Sequence, residues 1–277
     1  MKTIILTLKF IKKINSLPIM VIFIASILNG CGEKKKTSEE NQDTTVAETD
    51  SVTSVNELSQ KEKDEGWELL FDGKTTKGWR GYNKDSFPSK GWVIEDGSLK
   101  MQGTGAGEAG VGGDIIYDEE FKDFELSLEW KISEGGNSGI FYLAQEVEGD
   151  RIFKSAPEMQ VLDNDRHPDA KLGKDGNRQA GSLYDLIPAK PQNAKPVGEW
   201  NKISIIVYRG TVVHNQNGEN VVEYHLWTDD WKEMVANSKF KDWENFLNTG
   251  GENKKGYIGL QDHGDDVWFR NIKIKKL

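Results

Sequence analysis

The sequence predicts an all-β fold, a β-sandwich or jelly roll, on three observations. Apolar runs are short and recur along the chain. Glycine-bearing turn dipeptides punctuate them. Helical periodicity is almost confined to Trp231–Phe246. About ten short strands follow from this pattern, and no internal repeat or second boundary divides residues 64–277, which read as one folded domain.

Taken in order, Trp67–Phe71 precedes Asp72-Gly73 and Trp92–Glu95 precedes Asp96-Gly97, both hairpin signals. Phe124–Ile132 alternates apolar and polar residues, as a half-buried antiparallel strand does. Ile203–Tyr208 is nearly continuous in apolar character. Val212–His214 and Val221–Leu226 flank Asn217-Gly218 as another hairpin. Tyr257–Leu260 and Val267–Ile274 close the chain.

The N-terminal part reads differently. Lys2, Lys9, Lys12 and Lys13 precede an apolar run, Leu17–Leu28, and then Asn29, Gly30 and Cys31. A basic front, about a dozen apolar residues and a small residue before the break predict a secretory signal peptide over residues 1–30. The segment Leu28-Asn29-Gly30-Cys31 resembles a bacterial lipobox, which makes Cys31, the one cysteine of the chain, a lipidated residue. Residues 32–63 hold almost no large apolar side chains and are expected to be a disordered tether from a cell-envelope membrane. The net charge of −9, with no basic stripe, excludes a nucleic-acid partner.

Ser138–Leu143 and Glu158–Leu162 form the most informative pair of strands. Glu158 and Gln160 are two apart and so share one face, while Met159 and Val161 point to a core. An acid and an amide on one strand face suit a hydroxylated ligand better than packing. Asn137-Ser138-Gly139, after two glycines, would let backbone and amide approach a sugar closely.

Nine segments in order resemble the 3-keto-disaccharide hydrolase domain family of secreted bacterial proteins. They are WELLFDGKTTKGW (67–79), WVIEDGSL (92–99), FELSLEWKISEGGNSGIFY (124–142), PEMQVLDNDRHPDAK (157–171), GSLYDL (181–186), GEWNKISI (198–205), HNQNG (214–218), SKF (238–240) and GLQDHGDDVWFRNIKI (259–274). The resemblance implies a concanavalin A-like jelly roll acting on glycosides whose sugar C3 is already a ketone. The chain departs from the family pattern at Asn215 and Gln216, and again at Tyr142 and Leu143, which bears on ligand preference.

A ketone at C3 acidifies the hydrogen on C2. A base removes it, the enolate expels the C1 substituent with acid help, and added water completes a net hydrolysis. A carboxylate pair such as Glu158 and Asp163 would instead suit an ordinary glycosidase. Glu158, Asp163, His214 and His263 are the catalytic candidates. Asn137, Gln160, Tyr184, Lys239 and Gln261 are the substrate-binding ones. His167 and His225 read as weaker candidates, and Arg270 as fold-stabilising. Glu158, His214 and His263 also offer, by residue type alone, a divalent-metal site. Two other functions compete: a carbohydrate-binding sandwich without turnover, and a structural envelope lipoprotein.

Overall fold

The computed structural model describes residues 54–104 and 110–277. The expected signal peptide, Cys31 and the expected tether up to residue 53 lie outside the described residues. In chain order the described elements begin with α1 (Gln60–Asp64), β1 (Trp67–Leu69), β2 (Trp79–Gly81), β3 (Trp92–Glu95), β4 (Ser98–Met101), β5 (Ile115–Phe121), β6 (Phe124–Ile132) and β7 (Asn137–Ala144). They continue with β8 (Glu158–Leu162), β9 (Asn201–Tyr208), β10 (Thr211–Gln216), β11 (Glu219–His225), α2 (Asp229–Ala236), α3 (Glu244–Leu247), β12 (Gly256–Leu260) and β13 (Val267–Lys276).

The fold is a jelly-roll β-sandwich of two antiparallel sheets. An eight-stranded sheet runs β11-β10-β9-β6-β13-β4-β3, with β1 paired to β13; a five-stranded sheet runs β2-β5-β12-β7-β8. Leu126, Leu128, Trp130, Ile203 and Phe269 from the first meet Ile140, Met159, Val161, Ile258 and Leu260 from the second, all buried in one core. Two expected hairpins are present. Asp96 and Gly97 both take positive φ between β3 and β4, and Asn217 and Gly218 do so between β10 and β11, the backbone a tight two-residue hairpin turn requires. Asp72-Gly73 is not a hairpin: the Asp72 carboxylate accepts from the Lys74 and Thr75 amides, and β1 and β2 join different sheets.

The tether prediction is corrected at its end, because order begins before residue 64. Asn56 donates its amide to Asn271 Oδ1 at 2.6 Å, accepts from the Asn271 amide at 2.8 Å and donates to the Gly97 carbonyl at 2.7 Å. Ser59 and Glu62 form a reciprocal cap at the start of α1, and Glu62 pairs with Lys273 of β13. Specific polar contacts, not apolar burial, fasten this segment, so hydrophobicity gives no sign of it.

Strand β8 ends the five-stranded sheet in the strand order, yet its outer side is paired. The chain at 181–184 runs alongside it: Gly181 donates to Gln160 O at 2.8 Å, Gln160 to Ser182 O at 3.1 Å and Tyr184 to Glu158 O at 3.0 Å. Strand β8 is therefore hydrogen-bonded along both sides, and the Glu158 carbonyl takes its donor, the Tyr184 amide, from the outer one.

Candidate active site

The alternation of β7 and β8 divides their side chains between two faces. Ile140, Tyr142, Met159 and Val161 enter the sandwich core. Asn137, Gly139, Glu158 and Gln160 lie on the outer face, beside a second small cluster of Ile116, Phe141, Ala144, Ile152 and Ala156. Gly139 pairs with Gln160 across β7–β8, and the Gln261 amide donates to Gly139 O at 2.9 Å from the β12 side. The missing side chain at Gly139 makes room in this polar row. A Cβ there would stand 2.0 Å from Glu158 Oε1, so the glycine is required by the carboxyl group that crosses it.

Above this row is a hollow of about 200 Å³. Its floor is Asn137, Glu158, Gln160, Gln261 and His263; its walls are Phe153, Ala156, Tyr184, Lys239, Phe240, Trp243 and Phe246. The aromatic wall comes from the turn after α2 and from α3. Thr228 caps α2 by accepting from the Trp231 amide, and buried Trp231 anchors α3 by donating from Nε1 to Leu247 O at 2.9 Å. Trp243 then meets Phe153 with ring centroids 5.6 Å apart, and Phe240 stacks on Phe246 at 4.3 Å.

Glu158 is 7% exposed, and burial pushes its carboxyl group up to about 8. Lys239 opposes that rise through its charge, while Asp114 and Asp169 add to it. Lys239 sits over the Tyr184 ring, its Nζ 4.1 Å from the centroid and 3.7 Å from Asp185 Oδ2. Burial lowers its pKa, against the pull of Asp185. Behind it the Tyr184 hydroxyl donates to Asp169 Oδ2 at 2.8 Å, and Arg178 bridges Asp169 and Asp185. Burial raises the Tyr184 pKa, so the phenol stays neutral.

On the other side, Asn137 Nδ2 lies 3.2 Å from His263 Nε2, and His263 Nδ1 lies 3.8 Å from Asp265 Oδ2. Gln261 lines the hollow, and its side-chain oxygen is buried with no partner among the described residues, an acceptor left without a donor. Glu158 and His263 thus come together with Asn137, Gln160, Tyr184, Lys239 and Gln261 around one space.

Two catalytic candidates do not belong there. His214 is fully buried inside the sandwich: its Nε2 is 2.8 Å from the Tyr142 hydroxyl and its Nδ1 3.0 Å from Gly181 O. Burial pushes its pKa down to about 4, so it is a neutral member of a core network with Tyr142 and Tyr224. Strand alternation turned it inward, which the turn sequence after it concealed. Asp163 is also corrected. Its Oδ2 accepts from the Gly135 amide at 2.7 Å and its Oδ1 from Asp165 and Arg166, so it organises a turn and does not line the hollow.

The metal set Glu158, His214 and His263 is not assembled, since His214 spends both ring nitrogens in the core. His167, His263 and Asp265 do bring ligand atoms within 4.8 Å of one another. They do not fit a metal as they stand. His167 Nδ1 accepts from the Asp169 amide at 3.1 Å, which leaves Nε2 as the N–H of the neutral ring instead of a lone pair for an ion. His225 is exposed, with Nδ1 3.1 Å from Thr211 Oγ1. Arg270 pairs with Glu129 at 2.7 Å and stacks on Trp200, in the fold-stabilising role expected.

Sequence reasoning missed Phe153, Phe240, Trp243 and Phe246, whose spacing signals only packing. It also missed Asp114, whose Oδ1 accepts from the Asp262 amide at 3.0 Å and whose carboxyl group burial raises to about 6. An aspartate just before an apolar pair looks like an ordinary strand start.

The 3-keto-alpha-glucoside-1,2-lyase-like domain model matches residues 66–275, the sandwich and its site together. The chain belongs to that family. It is 53% identical, over 94% of its own length and 98% of the relative's, to a Bacteroides thetaiotaomicron protein named 3-keto-disaccharide hydrolase. Among solved structures, one from Parabacteroides distasonis, provisionally named a glycosyl hydrolase, superposes with a TM-score of 0.70 at 31% identity. It covers 81% of this chain and 100% of that one. A second from the same organism gives 0.59 at 26% identity, over 76% of this chain and 99% of the other.

Proposed function

We propose that this family member cleaves glycosides whose sugar carries a ketone at C3, by removal of the C2 proton, elimination of the C1 substituent and addition of water. The observation that carries the reading is that, among the described residues, Glu158 is the one carboxyl group lining the hollow, with Gly139 beneath it and the charge of Lys239 acting on it. A single lining carboxylate suits proton abstraction next to a carbonyl. It suits poorly the two-carboxylate scheme of ordinary glycosidases, for which Asp163 would be needed. The name of the Bacteroides relative supports the same substrate class.

In this scheme ionised Glu158 is the base for C2. Its raised pKa makes it a stronger base than a surface carboxylate once it is deprotonated. The Lys239 cation stabilises the negative charge that builds on the C3 oxygen. His263, with Asp265 beside it, protonates the departing oxygen. Gln261 accepts from a sugar hydroxyl, and the ring of Tyr184 with the aromatic wall packs on the apolar faces of the substrate.

Sequence features of residues 1–31 support placing the chain on a bacterial cell envelope through lipidated Cys31. Membrane association unchanged in Cys31→Ser would remove that part of the proposal. The chemistry is tested with 3-keto-trehalose or an aryl 3-keto-glucoside. Release of the aglycone by the wild-type protein, lost in Glu158→Gln, is the expected result. Binding without release would leave a carbohydrate-binding sandwich, and equal cleavage of the unoxidised glycoside would rule out the C2 route.

A further inference from the structure

Four groups at the floor of the hollow form a continuous chain from one end of the site to the other. The Gln160 amide is 3.1 Å from Glu158 Oε1 through one of its terminal atoms, and that same atom is 3.2 Å from Ser138 O. Its other terminal atom is 3.3 Å from Asn137 Oδ1, and Asn137 continues at 3.2 Å to His263 Nε2. Gln160 and Asn137 are buried, so no bulk solvent competes for these contacts.

We propose that Gln160 and Asn137 are positioning residues that couple the protonation state of Glu158 to the tautomer of His263. The same heavy-atom spacing serves two opposite polarities, because a side-chain amide turned by half a circle exchanges its donor and acceptor in place. When Glu158 is protonated, its hydroxyl donates to Gln160 Oε1, Gln160 Nε2 donates to Asn137 Oδ1 and Asn137 Nδ2 donates to His263 Nε2. The imidazole then carries its proton on Nδ1, toward Asp265. When Glu158 is ionised, the three bonds of the chain reverse, and Ser138 O, which can only accept, finds its Gln160 donor in this form alone. Gln160 Nε2 donates to the carboxylate and to Ser138 O, Asn137 Nδ2 donates to Gln160 Oε1, and Asn137 Oδ1 accepts from His263 Nε2–H. No proton passes through an amide. Glu158 gives its proton to water or substrate, both amides rotate, and the single imidazole proton moves from Nδ1 to Nε2 by exchange with water.

The electrostatic surroundings leave room for this change near neutral pH. Burial holds the Glu158 proton well above the usual carboxylate range, and the charges that face it are Lys239, Asp114 and Asp169. His263 faces Asp265 at 3.8 Å, the His167 ring at 6.0 Å and, more distantly, Asp114.

This inference concerns the site of the proposed reaction, but its test needs no substrate, so the two can fail separately. The full chain, 15N-labelled at its four histidines, is followed by two-bond 15N–1H correlation from pH 7 to 9.5, with the His263 signal identified by its loss in His263→Gln. The ratio of Nε2–H to Nδ1–H at His263 is expected to rise about fivefold, the net worth of one hydrogen bond, with the midpoint of Glu158. Glu158→Gln should abolish the change. Gln160→Met should also abolish it, although Glu158 and its charge remain. A His263 tautomer ratio that is constant over the range would overturn the proposal. So would a switch that persists in Gln160→Met, which would make it a through-space effect.

Discussion

Replacing Glu158 by glutamine removes a carboxyl group whose ionisation the fold opposes, and the cost of that opposition can be measured. An acid with a folded-state pKa above its unfolded value binds more protons when folded. Its contribution therefore falls as pH rises from the ordinary value of 4.5 toward about 8, the opposite of the usual carboxylate case. Within that window each pH unit removes up to about 1.4 kcal/mol, so between pH 5.5 and 7.5 this group alone lowers wild-type stability by about 2.5 kcal/mol. Glutamine keeps the shape and a donor for the site but cannot ionise. Urea unfolding at pH 5.5, 6.5 and 7.5 on both proteins gives the quantity directly. Other titrating groups, buried His214 among them, cancel in the difference between the two. The stability of Glu158→Gln relative to wild type should climb across the series while turnover is lost. Two stability curves that run parallel from pH 5.5 to 7.5 would show that Glu158 ionises freely, and the argument from burial would be wrong.

Three further outcomes follow from the same geometry. Gly139→Ala places a methyl group where the Glu158 carboxyl group now lies, 2.0 Å from Oε1; activity should fall about 100-fold while urea unfolding shows a folded protein destabilised by about 1–3 kcal/mol. Lys239→Met removes the cation that holds the Glu158 pKa down, so the rising limb of the kcat/KM profile should move to higher pH, and an unmoved limb would separate the two groups. His214→Leu takes one of two partners from the Tyr142 hydroxyl and strands Gly181 O in the core; it should cost about 2–4 kcal/mol by urea unfolding, while the folded fraction keeps most of its turnover per molecule.

The sandwich was legible because strand alternation and turn dipeptides act locally. The tight Asn217-Gly218 turn and the split of Glu158 from Met159 need only neighbours two or three residues away. The site was legible in part, and for the same reason: Glu158, Gln160 and Asn137 share a face by the two-residue period. His214 shows the limit. It stands on a strand like any other, and only the opposing sheet, brought in from distant sequence, decides that its ring meets Tyr142 rather than a ligand. The aromatic wall depends in the same way on how α3 docks against α2, which no spacing within either helix specifies. Asp163 was misassigned because a carboxylate that gathers backbone amides carries the same letter as one that moves protons.

The backbone pairing along the outer side of β8 has a further consequence. A terminal strand with open N–H and C=O groups is a template on which another chain can add its own, the usual start of sheet-to-sheet aggregation. Here that ladder is already filled from residues 181–184, so concentrated protein has no vacant rim to extend at the very strand that bears the carboxyl group. Solubility and preorganisation at this edge come from one and the same segment, and a deletion within it would forfeit both.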